Sequence, residues 1–311
     1  MLTIVRPGLL TLIQDGGRWG WQHLGVPVSG PMDPFSFRLA NRLVGNADHE
    51  AALEITMKGP EVGFQDGALI AIAGAHLTAR LSGVEVPINT PVSVQREQVL
   101  TFGERRRGAR AYLAVRGGLD VPVVLGSRSS SIQAGLPGLA GRALRAGDVV
   151  AVGGRAQRPI SPDVRVDDTP HSRRPAVLRV LAGPDDARFS RQALARFFMT
   201  IYKLSVQSNR MGYRLEGSTI ALRDGGQMLS EASPLGSVQV PPSGEPILLM
   251  ADRQTTGGYA RIATVITADL PVAGQLAPGE ELRFEECSQE AALMALQWQE
   301  AFLRQVGRVA S

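Results

Sequence analysis

Short apolar runs separated by glycine, proline and charged residues are the feature that most limits the folds open to this chain of 311 residues. The runs are rich in valine, isoleucine and leucine, and they lie at residues 2–5, 68–73, 92–94, 111–115, 149–152, 177–181, 219–222, 247–250 and 262–266. Runs of this length and composition predict β-strands. Because few helical segments lie between them, the pattern favours a mainly β chain of barrels or sandwiches over a doubly wound parallel sheet.

Three segments carry the period of an amphipathic helix and predict a few packing helices. The first covers residues 33–44, with Asp33 as the N-cap. The second runs from about residue 185 to 200, and the third covers residues 288–306 with Ser288 as its cap. Their apolar positions indicate helices that pack against the strands rather than cofactor sites.

A charged stretch at residues 155–175 contains four prolines and few apolar residues, and it predicts a connection between domains. After this stretch the pattern of a strand followed by a helix starts again. We therefore predict a first β-barrel domain over residues 1–165 and a second over residues 166–311.

Composition and charge exclude several classes of protein. Hydrophobic residues make up 44% and charged residues 20% of the chain, which is typical of a folded globular protein. The formal net charge is +4, and acidic residues alternate with the arginines, so no nucleic-acid partner is predicted. The uncharged runs are well short of the roughly 20 apolar residues of a membrane helix, and the N terminus lacks a signal-peptide pattern. We therefore expect a cytoplasmic protein without a membrane partner.

The cysteines and histidines do not predict a metal site. Cys287 is the only cysteine, which excludes an intrachain disulfide and a multi-cysteine metal centre. The four histidines lack the spacing of metal ligands. The motifs of a P-loop and of a hydrolase nucleophile elbow are also absent from the sequence.

Three stretches concentrate polar residues and glycines, at residues 15–33, 208–214 and 250–259. In the second stretch an arginine is flanked by asparagine and followed by glycine, and it can present its guanidinium to a carboxylate or phosphate. In the third stretch a pair of glycines would expose backbone N–H groups to an anion. Each stretch is equally compatible with a structural turn held by local hydrogen bonds, and the residues alone leave both interpretations open.

These stretches, together with further motifs, resemble the family of the 5-oxoprolinase C subunit, also described as the KipA-like or biotin-dependent carboxyltransferase A/B family. The same unit looks like part of the carboxyltransferase region of urea carboxylase. The motifs follow one another along the chain at residues 14–33, 40–46 (ANRLVGN), 116–118 (RGG), 208–212 (SNRMG) and 231–259. Because they span nearly the whole chain in order, together they are much more specific than any one of them.

The resemblance implies two cyclophilin-like β-barrel domains, in agreement with the number of strands and the mid-chain connection. It also implies a component of an ATP-dependent 5-oxoprolinase, a cyclic amide hydrolase that opens 5-oxoproline to L-glutamate. The implied partners are the KipI-like B subunit and the A subunit of that enzyme, and this chain is expected to be inactive alone. Because the chain has no nucleotide motif, we expect ATP to bind at a site shared with these partners.

The candidate site residues come from the same motifs. The predicted catalytic residues are His23 as a proton or hydrogen-bond donor, Asp252, which orients Arg253 or engages a substrate N–H, and Arg253 itself. The predicted substrate-binding residues are Asn209, Arg210 as an anion clamp, Tyr213, and Thr255, Thr256, Gly257 and Gly258 as oxyanion donors. Because a lactam is a stable amide, we expect phosphorylation of its oxygen to activate it, in a site that also holds the substrate carboxylate.

Two alternative functions remain open. The first is a carboxyltransferase component of a biotin-dependent urea-type carboxylase, which would need biotin and the modules that carry and carboxylate it. The second is a non-catalytic KipA-like antagonist of a KipI-like kinase inhibitor.

Overall fold

The computed structural model describes residues 1–154, 175–223 and 228–306, which fall into two compact units. Unit 1 holds residues 1–19, 29–154 and 300–306, and unit 2 holds residues 20–28, 175–223 and 228–299. The domain boundary predicted between residues 165 and 166 lies outside the described residues.

Unit 1 is built from two β-sheets. Its strands are β1 (Leu2–Arg6), β2 (Leu10–Gln14), β3 (Ala52–Thr56), β4 (Glu61–Phe64), β5 (Ala68–His76), β6 (Ala79–Leu81), β7 (Val84–Glu85), β8 (Pro91–Val94), β9 (Val99–Phe102), β10 (Arg107–Val115), β11 (Leu119–Asp120) and β12 (Val149–Val152). One sheet has the order β11-β12-β1-β4-β9-β6-β7 and the other the order β2-β3-β10-β5-β8. Helix α1 (Pro34–Leu43) also belongs to this unit.

The alternation of side chains along the strands of unit 1 divides its core into two parts. On β5, Ile70 and Ile72 face the main core, to which both sheets contribute. The residues between and after them, Ala71 and Ala73, face a second cluster under α1. Small side chains on this face of the sheet allow the helix to pack closely against it.

Helix α1 confirms the predicted first helix and its cap. The side chain of Asp33 accepts a hydrogen bond from the N–H of Ser36 at 2.9 Å. This bond satisfies one of the amide groups that a helix start leaves without an intrahelical partner. Phe35, Leu39 and Leu43 are buried on one side of the helix, as their spacing predicts.

Unit 2 is a closed β-barrel with packing helices. Its strands are β13 (Ala176–Ala182), β14 (Tyr202–Leu204), β15 (Gly212–Glu216), β16 (Glu231–Ala232), β17 (Ser237–Val240), β18 (Ile247–Leu249), β19 (Thr256–Gly257), β20 (Ala260–Val265) and β21 (Glu281–Glu286). Its helices are α2 (Arg191–Met199), α3 (Leu270–Gly274) and α4 (Gln289–Gln305), whose last residues belong to unit 1. The barrel order is β13-β20-β17-β18-β15-β14-β21, and the parallel pairing of β13 with β21 closes it.

The register of three barrel strands shows which side chains face inwards. Leu248 of β18 is paired with Tyr213 of β15 and with Val238 of β17, and all three are at most 1% exposed. Because neighbours along a strand point to opposite faces, the residues on either side of these three lie on the outer face of the barrel. A cavity of unit 2 lies on that outer face.

The structure confirms a mainly β fold with a few packing helices, and it corrects two elements. The second predicted helix does not start near residue 185, because residues Asp186–Arg188 form a 3₁₀ turn and Ser190 caps α2 by accepting from the N–H of Ala193 at 3.1 Å. The predicted strand at residues 219–222 is wrong. Its buried Ile220 donates its N–H to the carbonyl of Gly244, and Leu222 makes only an isolated bridge, so the pairing does not extend into a ladder.

Among the described residues, no helix has both the length and the apolar character needed to span a membrane.

Candidate functional site

A buried ion pair between Arg210 and Asp252 lies at the centre of the predicted site region in unit 2. Nε of Arg210 donates to Oδ2 of Asp252 at 2.8 Å, and Nη2 donates to Oδ1 at 3.0 Å. Both side chains are only 7% exposed. The N–H of Asp252 also donates to the carbonyl of Arg210 at 2.8 Å. The pair therefore joins the loop before β15 to the loop after β18 through side chains and backbone.

Arg253, the next residue, is a buried cation without a carboxylate partner among the described residues. Its side chain is 8% exposed, and Nε donates to the carbonyl of Ser233 at 2.8 Å. Burial lowers the pKa of Arg253 from its ordinary value, because the surroundings solvate the charge less well than water does. Arginine nevertheless keeps its charge in proteins, so this group is suited to binding an anion.

A cavity of about 180 Å³ lies beside this guanidinium, and we call it the Arg253 cavity. Its lining includes Gln22, Val28, Ser233, Arg253, Gln254 and Thr255. The hydroxyl oxygen of Ser233 is buried and makes no hydrogen bond within the described part of the chain. The volume is below the ~300–1,000 Å³ of pockets for drug-sized ligands, so the cavity fits a small ligand.

A second cavity, of about 200 Å³, lies over the outer face of β15, β17 and β18. Four side-chain amides and an apolar floor dominate its lining, and we call it the carboxamide cavity: Gln207, Asn209, Gln239, Gln254, Met211, Gly212, Ile247, Leu249, Arg214 and Tyr259. Its strand residues alternate with Tyr213, Val238 and Leu248, which face into the barrel. The strand register therefore explains why these side chains lie together on the outside.

Gln254 joins the two cavities, because it lines both of them. Its Nε2 lies 3.5 Å from Oε1 of Gln239, at the long limit for a hydrogen bond. Gly257 lies against this junction. A Cβ atom at Gly257 would lie 2.9 Å from Nε2 of Gln239, 3.0 Å from Oγ of Ser233 and 3.1 Å from Nε2 of Gln254. Three polar groups thus converge on a position where any side chain would displace them.

The predicted site residues have different positions in this arrangement. Asn209 lines the carboxamide cavity, and Arg253 and Thr255 line the Arg253 cavity. Arg210 and Asp252 are paired with each other, so Asp252 accepts from Arg210 rather than orienting Arg253.

Thr256 and Gly257 form β19, which pairs with β16. Neither Gly257 nor Gly258 has a positive φ. This segment therefore runs as a strand and not as the nest of backbone N–H groups that would bind an oxyanion.

His23 and Tyr213 line neither cavity. His23 is exposed on the 3₁₀ turn Gln22–Leu24, next to the cavity residue Gln22. Tyr213 is 1% exposed, and its position on β15 directs it into the barrel.

The cavity residues that were not among the predicted ones include Ser233, Gln239 and Gln254. Gln254 lies inside the third polar stretch, where the charged and hydroxyl side chains of its neighbours carry the stronger chemical signal. Gln239 lies on the short strand Ser237–Val240, and its side chain is only 2% exposed. A buried glutamine in a short strand can indicate a binding site, but the burial of Gln239 is known only from the structure.

No cluster of three or more histidine, cysteine, aspartate or glutamate residues that could hold a metal ion occurs in the described ranges. The side chains at the two cavities are instead those that bind small polar or anionic organic molecules.

Residues 24–286 match the family described as carboxyltransferase domain, subdomain A and B, and the chain belongs to this family. It is 40% identical to the 5-oxoprolinase C subunit of Escherichia coli K12 over 306 residues, which cover 98% of this chain and 97% of that protein. It is 36% identical to the 5-oxoprolinase C subunit of Haemophilus influenzae, over 96% of this chain and 94% of that protein.

The chain is also similar to one part of much longer proteins. It is 34% identical to urea amidolyase of Lachancea kluyveri, over 96% of this chain but 17% of that protein. The crystal structure of the K. lactis urea amidolyase superposes with a TM-score of 0.89 at 33% identity, over 99% of this chain and 20% of that one. The crystal structure of TTHA0988 superposes with a TM-score of 0.83 at 39% identity, over 91% of this chain and 55% of that one.

Proposed function

We propose that this chain is the C subunit of a 5-oxoprolinase, which opens 5-oxoproline to L-glutamate with hydrolysis of ATP. The observation that carries this proposal is the 40% identity to the E. coli C subunit over nearly the full length of both chains. The urea amidolyases share the same unit, but this chain spans only 17% of one of them. A biotin-dependent urea-type carboxylase would in addition need biotin and the modules that carry and carboxylate it.

Arg253 is the group in this chain that we propose binds the carboxylate of 5-oxoproline. The substrate is small and carries a single negative charge. The Arg253 cavity is small and presents one buried cation that has no carboxylate partner among the described residues. A guanidinium donates two parallel hydrogen bonds to a carboxylate. The buried hydroxyl of Ser233 lies in the same lining and can donate a further hydrogen bond to the ligand.

The Arg253 cavity and the carboxamide cavity do not fit ATP. A triphosphate needs several cationic groups, a metal ion or a nest of backbone amides, and the Arg253 and carboxamide cavities are each lined by a single arginine. The segment at Gly257 and Gly258 is not a nest. We therefore propose that the nucleotide is held chiefly by partner subunits of the A and B types, and that this chain contributes the substrate end of a composite site.

Reconstitution tests this function directly. The purified chain is mixed with its partner subunits, and 5-oxoproline-dependent phosphate release and glutamate formation are both measured. We expect both products only from the complete mixture, and neither from this chain alone. Undiminished formation of glutamate when the chain is omitted would contradict the proposal. A chain that binds the B-type partner and lowers its activity would instead support the antagonist function.

A further inference from the structure

We propose that residues 20–26 form a lid that closes over the Arg253 cavity when a carboxylate binds there. The identity of that ligand, 5-oxoproline, rests on the proposed function. The lid contains the 3₁₀ turn Gln22–Leu24, and it lies in the segment 20–28, which belongs to unit 2. The groups that carry the proposal are a glycine before the turn, a glutamine that lines the cavity and two exposed apolar side chains.

The lid is fixed at both ends and borders the cavity between them. Before the lid, Nε1 of Trp19 donates to the carbonyl of Gly16 at 2.9 Å. After it, Val28 is buried and contributes to the lining of the Arg253 cavity. Within it, Gln22 lines the same cavity. A movement of the lid between these two fixed points therefore changes how far the guanidinium of Arg253 is open to water.

The hydrogen bonds of the lid allow it to move as one body. The N–H groups of Leu24 and Val26 donate to the carbonyl of Trp21 at 3.0 and 3.3 Å. The N–H of Gly25 donates to the carbonyl of Gln22 at 2.9 Å. All three bonds lie within the lid, so a movement of the whole segment does not break them.

Gly20 provides a hinge at the start of the lid. Its φ of +93° lies in the left-handed region, which glycine adopts readily. Apart from its chain neighbours, no heavy atom lies within 4 Å of the position that a Cβ atom of Gly20 would take, so packing does not restrict the backbone there. Rotation at this residue can therefore move the lid while Trp19 keeps its hydrogen bond.

Gln22 connects the ligand with the lid. Its Oε1 atom accepts from the N–H of Gly20 at 2.8 Å, so its NH₂ group is left to donate into the cavity that it lines. A carboxylate bound to the guanidinium of Arg253 keeps further acceptor positions, because its two oxygens offer about four. A hydrogen bond from Gln22 to that carboxylate draws the lid towards the ligand.

Two apolar side chains of the lid favour its closure. Side chains three residues apart in a 3₁₀ helix lie one above the other, so Trp21 and Leu24 share one face of the turn. They are 36% and 64% exposed, whereas exposed turns are usually built from polar residues. Moving this face onto the rim of the cavity removes apolar area from water, which stabilises the closed state. A closed lid also excludes water from Arg253, and this strengthens its hydrogen bonds to the carboxylate.

Fluorine NMR on the full chain labelled with 5-fluorotryptophan measures the movement of the lid. The chain contains three tryptophans, and variants with phenylalanine in place of each one assign the three signals. 5-Oxoproline is added to saturation, which calorimetry determines independently. We expect the Trp21 signal to shift, and to lose its sensitivity to the exchange of water for D₂O, as the lid closes. Trp298 lines neither cavity, and its signal should stay unchanged.

The control for the ligand is Arg253→Met, in which the lid should stay open because the carboxylate has no cation to bind. Saturable binding of 5-oxoproline to the wild type without a change of the Trp21 signal would overturn the lid. Absence of binding would overturn both the lid and the assignment of the carboxylate to Arg253.

Two matched leucine variants test the apolar area that closure buries. Leu24→Ser should weaken 5-oxoproline binding about fivefold, mainly by faster dissociation, because the closed lid loses apolar area. Leu9→Ser makes the same change outside both cavities, at a leucine that is 66% exposed, and should have no effect. Because both leucines are exposed without ligand, neither variant should change the unfolding free energy of the free chain. Equal affinities of the two variants would overturn the lid.

The same measurements separate the lid from the proposed function. If 5-oxoproline binds without a change of the Trp21 signal while the reconstituted complex requires the chain, only the lid is wrong. If the signal changes as expected while the chain is dispensable for glutamate formation, only the proposed function is wrong.

Discussion

Arg210 occupies both carboxylate oxygens of Asp252, and this leaves the adjacent Arg253 as the buried cation that a ligand can reach. Arg210 was predicted to be an anion clamp and Arg253 a catalytic residue, and their surroundings differ. The charge of Arg210 is neutralised by the buried carboxylate of Asp252. Nε of Arg253 instead donates a hydrogen bond to a backbone carbonyl, and this side chain lines a cavity. We therefore expect loss of Arg210 to reduce stability and loss of Arg253 to reduce binding.

Breaking the Arg210–Asp252 pair should strongly destabilise the protein. Arg210→Met leaves the carboxylate of Asp252 buried without its cation, which typically costs about 3–5 kcal/mol. The double variant Arg210→Met with Asp252→Leu removes both charges and should recover part of this loss. Urea unfolding of the wild type and of both variants measures these differences.

The control for this prediction is Arg283→Met. It breaks an ion pair with Glu285 in which both side chains are more than 40% exposed, and such pairs contribute at most about 1 kcal/mol. If Arg210→Met and Arg283→Met lower the unfolding free energy equally, the buried pair is not the structural anchor that its geometry indicates.

Removing the charge of Arg253 should raise KM for 5-oxoproline in the reconstituted complex at least tenfold, because a charge-assisted bond to the carboxylate is lost. Arg253→Lys keeps the charge but loses the bidentate geometry of the guanidinium. Its KM for 5-oxoproline should lie between those of the wild type and Arg253→Met. The unfolding free energy of Arg253→Met should change by no more than about 1 kcal/mol, because a desolvated cation without a carboxylate is removed along with one hydrogen bond.

Arg196→Met, on the exposed side of α2, is the matched control for Arg253→Met. Steady-state kinetics should show an unchanged KM for this variant. A normal KM in Arg253→Met would exclude Arg253 as the carboxylate ligand.

Gly257→Ala should impair both cavities with little loss of stability. The new methyl group would lie within 3.1 Å of polar atoms of Gln239, Ser233 and Gln254. These are mostly the ends of flexible side chains, so they can move at low cost in free energy, but they would no longer converge on one position. We expect weaker binding of 5-oxoproline, with an unfolding free energy within about 1 kcal/mol of the wild type.

Gly67→Ala is the control for this substitution, because its added methyl group would meet only an ordinary contact, 3.5 Å from the carbonyl of Val94. Gly67→Ala should leave the binding of 5-oxoproline unchanged. Equal affinities for 5-oxoproline in Gly257→Ala and the wild type would show that the three polar groups are not part of the substrate site.

Acidic pH should lower the folding stability of unit 1, because it protonates carboxylates that form ion pairs near α1. Arg38 donates to Asp48 at 2.9 Å and to Oε2 of Glu300 at 2.8 Å. The hydrogen bond from Arg38 lowers the pKa of Glu300. Burial tends to raise the pKa of Asp48, but the hydrogen bonds from Arg42 and Arg38 together outweigh it, so this pKa is lowered as well. Both carboxylates are therefore more acidic in the folded chain than in the unfolded chain.

The direction of the pH effect follows from these lowered pKa values. The stabilisation is fully present above the unfolded-state pKa values of about 4, and it is lost as the pH falls through the folded-state values. Urea unfolding between about pH 6 and pH 3 should show a smaller loss of stability in Arg38→Met than in the wild type. Parallel pH profiles of the two proteins would contradict this explanation.

Much of the fold could be predicted from local patterns. Apolar runs gave the positions of most long strands, and the caps Asp33 and Ser288 gave the starts of α1 and α4, because these signals act over a few residues. The order of strands in the barrel could not be predicted in this way. It depends on pairings such as Ala176 with Leu282, and nothing near either residue specifies the partner.

The sequence predicts which segments contribute to the candidate site, but it does not predict what each residue does there. Asn209 and Tyr259 come from two separate polar stretches, and they do line one cavity. The pairing of Arg210 with Asp252 joins residues 42 positions apart, so the sequence alone cannot distinguish the neutralised arginine from the unpaired one. Gln239 was missed because a polar residue in a strand usually faces water, and here the neighbouring cavity walls bury it.

The parallel pairing of β13 with β21 has a consequence for biosynthesis. The strand that begins at Ala176 leaves the ribosome roughly a hundred residues before its partner at Glu281–Glu286 has been translated. During that interval the nascent chain exposes an unpaired strand edge, which is a template for aggregation. A truncation before Glu281 should therefore give an insoluble product. A nascent-chain chaperone that covers this edge should raise the yield of the full-length protein.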